Sequence, residues 1–349
     1  MKKGALFPAC ALCLCLLFPA GCGRPERAEE KRTGTVFAMD TVMDLTIYGE
    51  EELFHEAEEK ILGLEKLFSA TDENSEVYRL NQGEDQQVSW ETMDILSQAL
   101  ELCRRTDGAL DISIYPLVRA WGFTTGEYRV PSEGELQELR GHVGYDRIRL
   151  RPKERTVRLP EGMEVDLGGV AKGYTGDALI SLFRERGVSS ALCNLGGNVQ
   201  ALGRKPDGSR WRIAIKNPFG EGTVGVLKVD GQAVVTSGGY ERYFERDGKV
   251  YWHILDPVTG RPAEKGLVSV TIVSDSGLLC DGLSTALFVM GEEKAIDFWR
   301  DSQDFEMILV GEDRHMAVTE GLEEFFTLSQ DSPISKEDYQ VIARDPDEG

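Results

Sequence analysis

Residues 211–236 read WRIAIKNPFGEGTVGVLKVDGQAVVT, and this stretch decides the fold class. Three strand-forming runs, at 211–215, 223–229 and 234–236, follow one another with no helix-period segment between them. Outward from this centre, further strands are read at 35–48, 148–150, 156–159, 191–195, 250–254, 268–273, 307–310 and 315–319. One more is read over 110–118, interrupted by Pro116. Helices are few. Phe54, Ala57, Ile61, Leu64 and Phe68 share one face of a helix over 53–68. A second helix over 91–105 is opened by Ser89 as cap, a third spans 174–186, and a fourth spans 278–290 with Gly291 beyond its end. Residues 126–141 form a polar loop with a short helix. Strands in runs mixed with a few helices predict an α+β fold of mixed, largely antiparallel sheets with packed helices. No internal repeat and no linker divides it, so one domain is expected over residues 35–328.

The two ends differ from this body. Lys2 and Lys3 precede an apolar run over 5–20 that is too short to span a bilayer and suits a secretory signal. The run ends in Pro19-Ala20-Gly21-Cys22, small residues directly before a cysteine. That arrangement resembles a bacterial lipobox, although Pro19 stands where leucine is usual. The expectation is a signal over 1–21, a lipid anchor at Cys22, a solvated tether over 22–34 and residence on the extracytoplasmic face of the cell membrane. From Ser329 the chain is acidic, and residues 329–349 are expected as a flexible tail. Sixty acidic against 39 basic residues give a net charge of −21, which argues against nucleic acid as partner because a phosphate backbone would be repelled. Four of the seven cysteines lie within the first 22 residues; Cys103, Cys193 and Cys280 are scattered and offer neither a disulfide framework nor a CxxC metal site.

Four segments carry chemistry. VDLGGVAKGY (165–174) leads into a helix, where glycines let backbone approach a ligand, helix N–H groups face an anion, and Lys172 adds positive charge. A tight strand-to-helix turn that needs glycine for packing reads equally well. In CDGLSTALFVM (280–290), Asp281 and Thr285 stand four apart on one helical face. Oxygen donors of this kind suit Mg²⁺ before Zn²⁺; alternatively Asp281 complements the helix dipole and Thr285 bonds back to a carbonyl one turn earlier. WHILDPVTGRP (252–262) places His253 near a strand end beside a turn, as a general base or as a structural histidine. GALDI (108–112) carries Asp111 from a helix end into a strand, a weak signal by itself.

Together the segments say more. VDLGGVAKGY, TSGGYERYF (236–244), HILDPVTGRP and CDGLSTALFVMG occur in this order, preceded by MDTVMDLTIYG (39–49) and GALDISIYPLVRAWGF (108–123). The chain thereby resembles the FAD:protein FMN transferase (ApbE) family over nearly all of residues 36–326. The resemblance implies a T-fold-like architecture and export, often with a lipid anchor. It implies an Mg²⁺-dependent reaction in which FAD is cleaved, FMN is joined through a phosphoester to a Ser or Thr of an exported acceptor protein, and AMP is released. Carried over, Asp281, Thr285 and the backbone carbonyl of Gly169 match the metal ligands. Met39, Ala109, Leu110, Asp111, Asp166, Lys172 and Leu255 match FAD contacts, and His253 matches a histidine implicated in transfer. Thr71 stands where many members carry a tyrosine that stacks on the flavin, so the stacking partner is either absent or supplied by another aromatic such as Tyr78. Two other activities stay open at this point. One is an FAD pyrophosphatase, in which water takes the place of the acceptor hydroxyl; the other is a non-catalytic flavin-binding lipoprotein, which the presence of Asp281 disfavours.

Overall fold

A nine-stranded sheet forms the spine of the computed structural model. Its order is β1 (Lys31–Ala38), β2 (Thr41–Tyr48), β3 (Ala191–Leu195), β4 (Asn198–Leu202), β7 (Ala233–Gly238), β10 (Leu267–Ser274), β11 (Glu306–Gly311), β12 (Met316–Thr319) and β14 (Tyr339–Ile342). Every neighbouring pair is antiparallel except β12 with β14. The structure describes residue 1, residues 30–83 and residues 85–344. The expected signal and Cys22 lie outside the described residues apart from Met1, as do the first part of the tether and residues 345–349. Among the described residues no helix is long and apolar enough to cross a membrane.

The opening stretch divides between two sheets. Its first two strands, β5 (Trp211–Lys216) and β6 (Thr223–Val229), pair with each other and with β13 (Phe326–Leu328) in a separate sheet, while its third is β7 of the spine. β5 alternates buried and exposed residues along its length, so it covers core with one face and meets solvent with the other. Its apolar face packs with β6 against Val199, Val234, Val273 and Ile308 of the spine. The spine's opposite face is covered by helices. α1 (Glu52–Phe68) and α6 (Ala171–Glu185) close over β1–β3 around Leu45, Ile61, Leu179 and Phe183. α7 (Gly277–Met290) lies over β7 and β10, buried almost all round by Leu278, Leu283, Leu287 and Phe288, as a central helix should be. Buried on both faces, β4 has no exposed residue.

α2 (Glu76–Asn81), α3 (Trp90–Arg105) and α8 (Glu292–Arg300) extend the helical layer. Ser89 caps α3 as expected, its hydroxyl accepting from the Thr92 N–H at 3.1 Å. A small outer layer holds α4 (Tyr115–Trp121), α5 (Glu133–Arg140) and a hairpin of β8 (Tyr243–Arg246) with β9 (Lys249–Trp252), built around Leu117, Trp121, Phe123, Leu136 and Phe244. Cys103, Cys193 and Cys280 are buried free thiols.

Three expectations need correction. The strand read over 110–118 is irregular backbone followed by α4; Pro116 sits in the first turn of a helix, where a missing N–H costs nothing. The tether read to residue 34 ends earlier, because β1 already begins at Lys31. An edge strand needs few apolar residues, and Gly34 is the point where the Phe54 ring of α1 packs; a Cβ there would lie 2.1 Å from the ring. The tail read from residue 329 is tied down as far as the structure describes it. β14 pairs with β12, Ile334 and Ile342 are buried, and the Arg344 guanidinium donates to the Trp299 carbonyl at 2.7 Å. Its acidic composition concealed these few anchors.

Candidate active site

The glycine turn at 168–169 delivers the chain into α6, which crosses α7 at very short range. A Cβ at Gly173 would lie 2.2 Å from the Gly277 carbonyl oxygen, and one at Gly277 would lie 2.6 Å from the Gly173 carbonyl oxygen. Glycine at both positions is therefore a packing requirement, as the plainer reading of the turn has it. The close approach also serves a carboxylate. Asp281 of α7, 4% exposed, accepts the Gly173 N–H at 2.9 Å, so the side chain of one helix caps the first turn of the other. Asp281 thus does complement a helix dipole, but that of α6. The back-bond to a carbonyl one turn earlier, read for Thr285, is made by its neighbour: the Ser284 hydroxyl donates to the Asp281 carbonyl at 2.8 Å. The Thr285 hydroxyl lies 3.4 Å from that of Ser237 on β7, and a Cβ at Gly169 would be 3.9 Å from it.

Burial pushes the Asp281 carboxyl above its ordinary range, while the Lys172 ammonium, 3.9 Å away, and the Gly173 N–H act in the opposite direction. A cation beside this carboxylate would favour its ionised form. Asp281, Thr285 and the Gly169 carbonyl offer one carboxylate, one hydroxyl and one backbone oxygen. Among the described residues no group of three or more His, Cys, Asp or Glu forms a metal cage. That donor set fits Mg²⁺, which keeps several waters and takes its remaining ligands from substrate phosphates.

His253 lines the same cavity, directly after the β8–β9 hairpin. Its N–H donates to the Arg242 carbonyl at 3.0 Å, and its ring Nδ1 lies 3.2 Å from the same oxygen. A carbonyl only accepts, so Nδ1 carries the proton and Nε2 is left as the basic nitrogen. Burial first, then the Arg242 and Lys172 charges, pull the imidazole down to about 4. The Arg242 guanidinium donates to the Phe123 carbonyl at 2.7 Å, and the Phe123 ring meets His253 edge-on at 6.4 Å. The whole wall rests on an aromatic cluster in which Phe244 stacks on Tyr128 and Tyr251 at 5.1 and 5.2 Å.

The β1–β2 turn forms another edge. Met39 and Asp40 both have positive φ, 49° and 58°, in a two-residue hairpin turn where Asn-Gly is usual. The Met39 N–H is held by the Glu65 carboxylate at 2.6 Å. Asp166 accepts the Gly168 N–H at 3.0 Å; burial pushes its carboxyl up, against the pull of that N–H and of Arg242 and Lys172. Asp111 spends its carboxylate within the chain, on the Ser113 N–H and hydroxyl at 2.8 and 2.6 Å and on the Tyr145 N–H at 3.1 Å. It shapes the 109–112 loop while lining the cavity, and Oδ2 has taken only the Tyr145 N–H.

Met39, Ala109, Leu110, Asp111, Asp166, Gly169, Lys172, His253, Leu255, Asp281 and Thr285 all line a single cavity of about 570 Å³. Residues from five separate stretches of the sequence are thereby brought together. Asn198, Thr236, Ser237, Glu241 and Arg242 line it too and were not singled out beforehand. Four of these belong to the quoted TSGGYERYF stretch, which was the available signal; Asn198 had none. Neither Thr71 nor Tyr78 reaches the cavity, and its aromatic lining residue, Phe123, is only 3% exposed. A more open hollow of about 610 Å³ between residues 81–83, Asp85 and residues 158–164 contains none of the expected site residues.

The comparisons with known proteins agree with this geometry. The ApbE family model matches residues 39–309. The FAD:protein FMN transferase of Vibrio cholerae serotype O1 is 33% identical over 292 residues, covering 80% of this chain and 87% of the relative. That of Treponema pallidum is 30% identical over 348 residues, covering 92% and 96%. Among solved structures, the ApbE protein of Thermotoga maritima superposes with a TM-score of 0.80 at 32% identity, over 85% of this chain and 99% of the other. The apo form of the Pseudomonas stutzeri flavinyl transferase ApbE does so with a TM-score of 0.77 at 30% identity, over 86% and 98%. Sequence order, sheet architecture and the cavity converge on one conclusion: the chain belongs to the ApbE family.

Proposed function

We propose that this chain is a magnesium-dependent FAD:protein FMN transferase acting on a Ser or Thr of an exported acceptor protein. The observation that carries the reading is the meeting of the glycine turn, Lys172, Asp281, Thr285 and His253 around one cavity of about 570 Å³. In the reaction the acceptor hydroxyl oxygen bonds to the FMN phosphorus of FAD. The bond from that phosphorus to the bridging oxygen breaks, and AMP leaves with that oxygen. The hydroxyl proton passes to Nε2 of His253, which is free to take it because Nδ1 is engaged by the Arg242 carbonyl. Asp281, Thr285 and the Gly169 carbonyl would hold magnesium, which would supply positive charge against the pyrophosphate. Lys172 adds a second positive charge on the same side. Met39, Leu110 and Leu255 offer apolar walls to the flavin half, and Asp166 a polar contact at the cavity edge.

The protein does little covalent work here; it positions and stabilises charge. The test is incubation with FAD, Mg²⁺ and an acceptor protein, reading flavin fluorescence on the acceptor in a denaturing gel and AMP alongside. Labelled acceptor with matching AMP supports transfer. AMP and free FMN without label make the chain a pyrophosphatase, and neither product makes it a flavin-binding protein without catalysis.

Residence on the extracytoplasmic face of the cell membrane through Cys22 belongs to the same reading. It is supported by Lys2 and Lys3, the apolar run and the small residues before Cys22. A Cys22→Ser protein is expected to leave the membrane fraction and stay active; persistence in that fraction would rule out Cys22 as the anchor.

A further inference from the structure

We propose that Asp177, which does not line the cavity, is a positioning residue that sets where Asp281 and Thr285 stand. The inference rests on reading Asp281, Thr285 and Gly169 as the magnesium site. Asp177 is on α6, one turn beyond Gly173, and its carboxylate takes the N-terminus of α7. Oδ1 accepts from the Gly277 N–H at 2.7 Å and Oδ2 from the Leu278 N–H at 3.0 Å and the Ser276 hydroxyl at 3.1 Å. The Ser276 hydroxyl in turn accepts the Leu279 N–H at 3.3 Å, and the Cys280 N–H reaches the Ser276 carbonyl at 3.1 Å. Every free N–H of the first turn of α7 is therefore placed, two of them by Asp177.

The arrangement is reciprocal. Asp177 of α6 caps α7, and Asp281 of α7 caps α6 through the Gly173 N–H. Strand β4 addresses both carboxylates from one face, because Asn198 and Gln200 are two residues apart. Gln200 donates through Nε2 to Asp177 Oδ1 at 2.5 Å, and Asn198 draws the Asp281 carboxyl down against the effect of burial. Glycines keep the junction close: a Cβ at Gly176 would lie 2.2 Å from Gln200 Oε1, and one at Gly277 2.8 Å from it. The rotation and depth of α7 relative to α6 are thus fixed by Asp177, a full turn before the residues that hold the metal. Such supporting contacts typically account for 10- to 100-fold in metal affinity.

The test uses the full chain and its Asp177→Asn variant, with Mn²⁺ binding followed by electron paramagnetic resonance, Mg²⁺ competition, and Mg²⁺-dependence of FAD cleavage. The expected result is an Mg²⁺ dissociation constant raised roughly 10-fold or more, with kcat at saturating Mg²⁺ within about threefold of wild type. Gln200→Met, which leaves both helix caps in place, is expected to shift metal affinity in the same direction by less. A merely structural Asp177 would lower the melting temperature without moving metal affinity, and that result overturns the proposal. If Asp177→Asn does not fold and Gln200→Met binds Mg²⁺ as wild type does, the proposal also falls. A wild-type protein that binds neither Mn²⁺ nor Mg²⁺ overturns the metal reading itself, and the positioning role with it.

Discussion

The two walls of the cavity are built by opposite means. On the α6–α7 side, glycine contacts bring two helices almost to backbone touch, and both carboxylates at the crossing are engaged by N–H groups. On the His253 side, the catalytic candidate follows a two-stranded hairpin in a thin outer layer, held by one carbonyl and cushioned by stacked aromatic rings. The first wall joins the spine of the molecule; the second is an annex. The contrast teaches a division of labour. Charge stabilisation demands atoms fixed by a rigid frame, whereas a proton acceptor needs one ring nitrogen kept free, which a single carbonyl on the other nitrogen secures.

The comparison breaks most visibly if the deep wall is not where the charge is handled. Asp281→Ala should lower FAD cleavage by on the order of 10³-fold or more, since the only carboxylate of the proposed metal set is gone. FAD binding should persist, and AMP release beside a flavin-fluorescence titration checks both. Full turnover would remove Asp281 from the mechanism.

The histidine wall should yield a smaller and more selective loss. His253→Ala should reduce transfer to the acceptor by roughly 10²–10⁴-fold, the usual contribution of a general base, with Mg²⁺ affinity unchanged. A variant that labels its acceptor at the wild-type rate would make His253 a structural residue. A fall in metal affinity instead would merge the two walls into one unit.

The smallest effect is a pH dependence displaced from its habitual place. The neutral ring takes the proton, so activity is lost as His253 becomes protonated. In the free protein burial and Arg242 hold that step near 4 rather than 6.5. The sign follows: kcat/KM should stay level as pH falls from about 7.5 to about 5.5 and decline only below that. An inflection near the ordinary imidazole value would show that the ring is solvated in the working enzyme.

Much of this could be read in advance, and the division is physical. The Ser89 cap, the Gly291 helix stop and the strand-forming run that became β5 are local signals, legible within a few residues. Asp281 and Thr285 were legible as a pair because helical spacing is local too. What stayed hidden is nonlocal. Nothing near Asp281 reveals that its carboxylate answers Gly173, 108 positions earlier. Asn198 lines the cavity only because β4 is inserted between β3 and β7. Pro116 misled because the same residue that breaks a strand opens a helix. The first half of β1, read as tether, was hidden by its edge position, where one covered face is enough.

The Met39–Asp40 turn carries a lesson for anyone who would re-engineer this scaffold. Two successive side-chain-bearing residues in the left-handed region cost about 1–2 kcal/mol each relative to glycine. Design by turn statistics would replace them with Asn-Gly and harvest that strain as thermal tolerance. The same replacement strips the thioether from the rim of the cavity while leaving every strand in place. Such a protein would be a sturdier scaffold with an altered mouth, and a selection that scored only heat resistance would favour it. Libraries aimed at hardening the molecule should therefore hold this hairpin constant and look for gains on the far side of the spine.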